Sequence, residues 1–206
     1  MISGYFISFE GIDGCGKSTQ IKILLDKLLA DDKKTLLIRE PGGTNVSEKI
    51  RSILLDKSNY NLSSQSESLL FLASRAQLVA EKIIPALNNG EIVISDRFSD
   101  STLAYQGIGR GMGEDIINQL NDFATQSIYP DLTFIIDTSY DDVIKRQGLG
   151  SDRMELNSRD FFNSISNFYR DLSDQDTERY YLINGNQDIQ TIHNEIWSII
   201  CKRLNF

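Results

Sequence analysis

Residues Phe9-Glu10-Gly11-Ile12-Asp13-Gly14-Cys15-Gly16-Lys17-Ser18-Thr19 contain the pattern G-x-x-x-x-G-K-S between an apolar run and a segment of helical period. Few backbones accommodate it. The glycines let successive N–H groups turn inward around an anion, the lysine reaches the β and γ oxygens of a bound triphosphate, and the serine hydroxyl is a ligand for Mg²⁺. A helix that starts here adds its positive end to the same point. The flanks have the order the pattern needs. Tyr5-Phe6-Ile7-Ser8-Phe9 is nearly continuously apolar, as in a strand buried on both faces of a parallel sheet. After Lys17, the residues Ile21, Leu24, Leu25, Leu28 and Leu29 fall at i, i+3, i+4, i+7 and i+8, one face of a helix. Gly11, Ile12, Asp13, Gly14, Cys15, Gly16, Lys17, Ser18 and Thr19 are therefore the candidate phosphate-binding loop.

Four more strand-sized apolar runs follow, at Leu36 to Ile38, Ile92 to Ile94, Leu132 to Ile136 and Tyr180 to Ile183. Between them lie helical periods such as Phe161, Ile165, Phe168, Tyr169 and Leu172, or Ile189, Ile192, Ile196, Ile199 and Ile200. Alternation of this kind predicts right-handed crossovers and a three-layer α/β fold, a parallel five-stranded sheet with helices on both faces. With 206 residues, 40% of them hydrophobic, and no linker-like shift in composition, one domain over 1–206 is expected. Ser64-Gln65-Ser66-Glu67 has capping-box spacing and starts a long helix, which Pro85 should kink or stop.

The formal net charge of -8 argues against nucleic acid or an anionic membrane as partner, so any phosphate chemistry must use local arginines. Cys15 and Cys201 form no framework of paired cysteines, which suits a reducing compartment and a cytoplasmic location. No leader pattern or long apolar span is read in the sequence, and membrane insertion is not expected. The single histidine, His193, reads as an ordinary helix residue, and no Cys/His cluster has zinc spacing.

In open α/β sheets ligands bind beyond the carboxyl ends of the strands, which draws attention to the residues just after each one. Arg39-Glu40-Pro41-Gly42-Gly43-Thr44 follows one run and Asp96-Arg97-Phe98 another. Asp96 is placed to share Mg²⁺ with Ser18. On the helix begun at Ser64, Phe71 and Arg75 are four apart and share a face, offering an aromatic plane beside a planar cation.

These segments, with Phe71-Leu72-Ala73-Ser74-Arg75, Ser101-Thr102-Leu103-Ala104-Tyr105-Gln106-Gly107 and Tyr129-Pro130-Asp131-Leu132-Thr133, resemble the thymidylate kinase family over essentially the whole chain. The resemblance implies the P-loop nucleoside monophosphate kinase fold, with ATP and Mg²⁺ as cofactors and thymidine 5′-monophosphate as the other substrate. It implies that Phe71 stacks on thymine, that Arg75 contacts the base or its phosphate, and that Glu40, Pro41, Arg51 and Arg97 hold the monophosphate end. Ser101 belongs to the same substrate-binding set. Thr102 and Gln106 would then bind the base edge, Tyr105 would crowd the position of a ribose 2′-hydroxyl, and Asp13 would approach the sugar and phosphate. Some members carry an arginine beside that acidic residue; this chain has Gly14 there. In members similar to the bacterial type, the arginines come from a mobile lid, which Lys145 to Glu155 resembles, with Arg146 and Arg153 as the candidates beside Lys17 and Arg97. The family also implies a homodimer.

The expected reaction moves the γ-phosphoryl group of ATP onto thymidine 5′-monophosphate. It needs no general base, because a phosphate monoester with a second pKa of about 6 is already anionic. Two other readings stay open on sequence alone: a kinase for another nucleoside monophosphate, and a non-catalytic nucleotide-binding regulator.

Overall fold

A computed structural model describes residues 3–147, 153–154 and 157–204. The chain runs β1 (Tyr5–Glu10), α1 (Lys17–Ala30), β2 (Thr35–Arg39), α2 (Asn45–Leu55), α3 (Ser64–Leu78) and α4 (Ile84–Asn88). It continues through β3 (Ile92–Asp96), α5 (Ser99–Thr102), α6 (Glu114–Thr125), β4 (Leu132–Asp137), α7 (Tyr140–Gln147), α8 (Arg159–Gln175), β5 (Tyr180–Asn184) and α9 (Ile189–Leu204). The strands form one parallel sheet in the order β2-β3-β1-β4-β5. This is the α/β, five-stranded arrangement that the alternating periods predict.

The central strands are buried almost throughout, whereas the edge strands β2 and β5 keep most of their positions at least partly accessible. Successive side chains of a strand point to opposite faces, so both faces need cover. Ile7, Phe9 and Ile94 pack in one cluster with Ile21, Leu24 and Leu28 of α1 and Ile196 and Ile200 of α9. Phe6 and Val93 pack in another with Leu78, Val79, Ile83 and Leu87. Two positions fall outside the faces their periodicity assigns: Leu29 is 53% exposed and Ile189 57% exposed. Each closes the edge of a helical stripe wider than the surface it meets.

Two local expectations change. The cap of α3 is Ser63, whose side chain accepts from Ser66 N, and not Ser64. A serine one residue earlier satisfies the free N–H groups, which releases Glu67 to turn into the interior, where it is 1% exposed. Pro85 neither stops nor kinks the helix at its own position. It lies in the first turn of α4, where its missing N–H costs least, and the irregularity sits upstream as a π-helical turn over Val79–Ile83. Among the described residues, no helix is long and apolar enough to cross a membrane.

Candidate active site

β1 lies between β3 and β4, and the loop after it opens at the carboxyl end of the sheet. Gly11 and Gly16 adopt φ of +130° and +112°, values open to glycine but strained for other residues. A Cβ on Gly11 would also stand 2.7 Å from Ile136 O. Lys17 starts α1, and its Nζ donates to Gly11 O and Ile12 O, both at 3.0 Å, which fixes the ammonium across the mouth of the loop. Ser18 Oγ donates to Asp96 Oδ2 at 3.1 Å. A hydroxyl and a carboxylate side by side on an accessible rim suit a hard divalent cation that completes its shell with water and phosphate oxygens.

Loop and strand ends open on one cavity of about 450 Å³. Asp13, Gly14, Gly16, Lys17, Ser18 and Thr19 border it at one end; Arg39, Glu40, Pro41, Arg51, Leu55, Phe71, Arg75, Asp96, Arg97, Ser101, Thr102, Tyr105, Gln106 and Met154 complete its walls. Gly11, Ile12 and Cys15 lie behind the loop, fully buried. The lid expected at about 145–155 falls on 148–152 and 155, which lie outside the described residues. Its flanking arginines are engaged with protein: Arg146 donates to Gly185 O and Asn186 Oδ1, and Arg153 to Leu54 O at 2.8 Å and Glu67 Oε2 at 2.6 Å.

Arg97 joins the two ends of the cavity. It follows β3 with φ of +74°, left-handed for a residue that is not glycine. Three bonds impose this backbone: Arg97 N donates to Phe9 O, Ser95 Oγ to Arg97 O, and Phe98 N to Glu10 Oε1. The guanidinium lies over the Tyr105 ring, 5.1 Å from its centroid, and donates to Asp13 Oδ1 at 2.8 Å, Ser101 Oγ at 3.0 Å and Tyr105 OH at 3.2 Å. Burial would raise the Asp13 carboxyl, but Arg97 and Lys17 outweigh it and hold the group at about 2. It is therefore anionic throughout the working range.

In the cavity wall Arg75 is only 1% exposed. Its Nε donates to Glu40 Oε2 at 2.8 Å, Nη1 to Thr102 Oγ1 and Asn121 Oδ1, each at 2.8 Å, and Nη2 to Phe98 O at 2.9 Å, with Glu40 Oε2 also 2.6 Å from Nη2. Of the five N–H donors of the guanidinium, four hydrogen-bond to protein acceptors, and Nη2 also closes the ion pair with Glu40. Glu40 Oε2 is thus taken up by Arg75, and the other cations that border the cavity are Lys17, Arg39, Arg51 and Arg97.

Two buried carboxylates escaped the sequence reading as site residues. Glu10, at the end of β1, accepts from Phe98 N at 2.7 Å, Ser101 Oγ at 2.5 Å and Tyr169 OH at 2.9 Å. Burial and the nearby Asp100 push its carboxyl up to about 7, against the opposing pull of Arg97 and of its own hydrogen bonds. Between its ordinary 4.5 and about 7 the folded chain holds a proton that the unfolded chain has released. This contribution is complete below the unfolded value and is lost as pH rises through 7. Thermal melts at about pH 5 and about pH 8 should show the wild type losing stability relative to Glu10→Gln. A constant difference between the two proteins would contradict that. The second carboxylate, Glu67, has a signal in the sequence after all: the four-residue step linking Phe71 to Arg75, taken one turn back, reaches it. Burial would raise its carboxyl, but bonds from Arg110, Gln106 and Arg153 outweigh this and keep it below the usual range.

A family model described as Thymidylate kinase matches residues 9–196. The chain belongs to the thymidylate kinase family. A thymidylate kinase of Thermoanaerobacter sp. (strain X514) is 46% identical over 204 residues, covering 98% of this chain and 100% of that protein. One of Thermosipho africanus (strain TCF52B) is 48% identical over 200 residues, 97% of this chain and 98% of that protein. Among solved structures, thymidylate kinase from Ehrlichia chaffeensis superposes with a TM-score of 0.79 at 35% identity, covering 96% of this chain and 99% of that one. Family membership accounts for the order of the elements and for the loop, strand-end and helix segments that meet at the cavity.

Proposed function

We infer that the enzyme transfers the γ-phosphoryl group of ATP to thymidine 5′-monophosphate, giving thymidine 5′-diphosphate and ADP, on the route to thymidine triphosphate. The observation that carries this is the continuity of one cavity from Lys17 and Ser18 to Phe71 and Gln106. Such a cavity receives two nucleotides with their phosphates converging between its ends. Lys17 and the loop N–H groups take the triphosphate, while Arg51 and Arg97 take the monophosphate. Asp13 holds Arg97 between them, and no side chain needs to remove a proton from an already ionised acceptor. What remains is alignment and neutralisation of two polyanions. Ser18 and Asp96 fit Mg²⁺, which would supply Lewis acidity to the phosphates. Phe71 offers its ring to the base, Thr102 and Gln106 its edge, and Ser101 and Tyr105 border the sugar and phosphate. Arg146 and Arg153 are the further cations for the transferring group, and each must exchange its present protein acceptors to serve.

The direct test is an assay of ADP release that depends on thymidine monophosphate, run against a panel of nucleoside monophosphates. The wild type should use thymidine monophosphate best, and Lys17→Ala should abolish turnover. Equal use of another monophosphate, or no ADP at all, would contradict the reading. Phe71→Ala should raise the thymidylate KM roughly 5- to 150-fold, the worth of about 1–3 kcal/mol of stacking. An unchanged KM would make Phe71, half-buried against the main core, a packing residue only.

The whole chain acts as one catalytic domain and as a homodimer in the cytoplasm. Support for the dimer comes from accessible apolar side chains on the neighbouring helices α2, α3 and α6: Val46 and Ile53, Leu69, and Ile116 and Phe123, the last 85% exposed. Support for the location comes from the two free thiols, Cys15 and Cys201.

A further inference from the structure

Glu67 does not itself line the cavity, yet it is built in behind Gln106, which does. Its carboxylate is 1% exposed, and Oε1 accepts from Gln106 Nε2 at 2.9 Å. Arg110 Nε reaches the same oxygen at 3.1 Å, and Arg153 Nη1 reaches Oε2 at 2.6 Å. Gln106, also 1% exposed, sits in the π-helical turn Leu103–Gly109 and borders the cavity with Thr102 and Tyr105.

A carboxamide can present either of two orders of donor and acceptor to a ligand, and a free glutamine reverses them by rotating its terminal group. A carboxylate accepts only, so Nε2 must face Glu67. Rotation would set the Gln106 oxygen against a buried anion. The edge left for a base is then fixed as the carbonyl oxygen beside the second Nε2–H.

We propose that Glu67 is a specificity-determining positioning residue, which locks the Gln106 carboxamide in the order that reads a keto pyrimidine and rejects an amino pyrimidine. Thymine presents N3–H as donor beside a carbonyl acceptor, which complements that edge. Cytosine presents an N3 lone pair beside an amino group and needs the reversed edge, which Glu67 forbids. Specificity here rests on a blocked rotation as well as on the contacts made. Arg110, which bonds both carboxylate oxygens, keeps Glu67 ionised and in place even when Arg153 leaves it for the transferring group. The inference rests on the thymidylate reading above.

The test compares kcat/KM for thymidine monophosphate and deoxycytidine monophosphate in the wild type, Glu67→Gln, Gln106→Leu and the double variant. Glu67→Gln should lower the ratio of the two at least about tenfold, because a site built around a hydrogen bond loses its discrimination when the reader can turn. In the Gln106→Leu background the same substitution should leave the ratio unchanged. If Glu67→Gln does not give folded protein, Glu67→Asp keeps a charge for Arg110 and Arg153 while withdrawing the carboxylate from Gln106, and should lower the ratio in the same direction. An unchanged ratio in the single variant, or an equal fall in both backgrounds, overturns the proposal. Failure of the wild type to phosphorylate thymidine monophosphate would overturn the function instead, and the wild-type arm shows which has failed.

Discussion

Arg97→Ala is expected to lower kcat by about 10³-fold or more, with a much smaller rise in the thymidylate KM. Arg97 bonds both to the phosphate loop, through Asp13, and to the acceptor wall, through Ser101 and Tyr105. A cation so held is already oriented before charge develops on the transferring group, so its effect falls on the transition state more than on binding. Its backbone conformation, left-handed at φ of +74°, is imposed by Phe9, Ser95 and Glu10, and the interior has therefore been arranged around this one side chain. Arg97→Lys should restore little of the loss, because an ammonium cannot reproduce the planar fork that meets Asp13 and Ser101 together. Single-turnover rates within about tenfold of wild type for the alanine variant would remove Arg97 from the chemistry.

The second effect concerns stability. Arg75→Ala should cost about 3–5 kcal/mol, since it leaves the buried Glu40 carboxylate without its cation and strips acceptors on Thr102, Asn121 and Phe98. For a chain of this length that corresponds to a fall in melting temperature of roughly 10 °C. Burial already pushes the Glu40 carboxyl up, with Arg75 opposing the rise, so without the arginine the carboxylate takes up a proton more readily. Removing both charges, Glu40→Ala with Arg75→Ala, should cost less than the sum of the single changes, because the second substitution removes the charge that the first one stranded. Calorimetric melts showing Arg75→Ala within about 2 °C of wild type would mean that the pair contributes nothing net.

The phosphate loop was legible because its constraint is local. Glycine spacing, one lysine and one hydroxyl specify the turn whatever surrounds them, and apolar runs of strand length specify the sheet. Asp96 was legible for the same reason, standing at the end of a buried run. Arg75 was only half legible. Its face on α3 follows from its distance to Phe71, but its complete burial depends on Glu40, Asn121, Thr102 and Phe98, which come from other parts of the chain and meet only in the fold. Glu67 was masked by a competing pattern, since Ser64-Gln65-Ser66-Glu67 satisfies a capping box that the chain does not use. Ser63 takes the cap, and the glutamate faces inward. Glu10 lies at the start of the motif, but its role rests on Phe98, Ser101 and Tyr169, distant in sequence, so no local pattern marks it as the carboxylate that organises the backbone after β3.

The convergence of two phosphate tails along the carboxyl rim is tested most directly by a single molecule that spans both sites. Thymidine and adenosine joined 5′ to 5′ through a polyphosphate chain should inhibit competitively against ATP and against thymidine monophosphate, and bind about 10²-fold or more tighter than either alone. Competition with only one substrate, or affinity no better than that of a single nucleotide, would show that the two tails do not meet at Arg97.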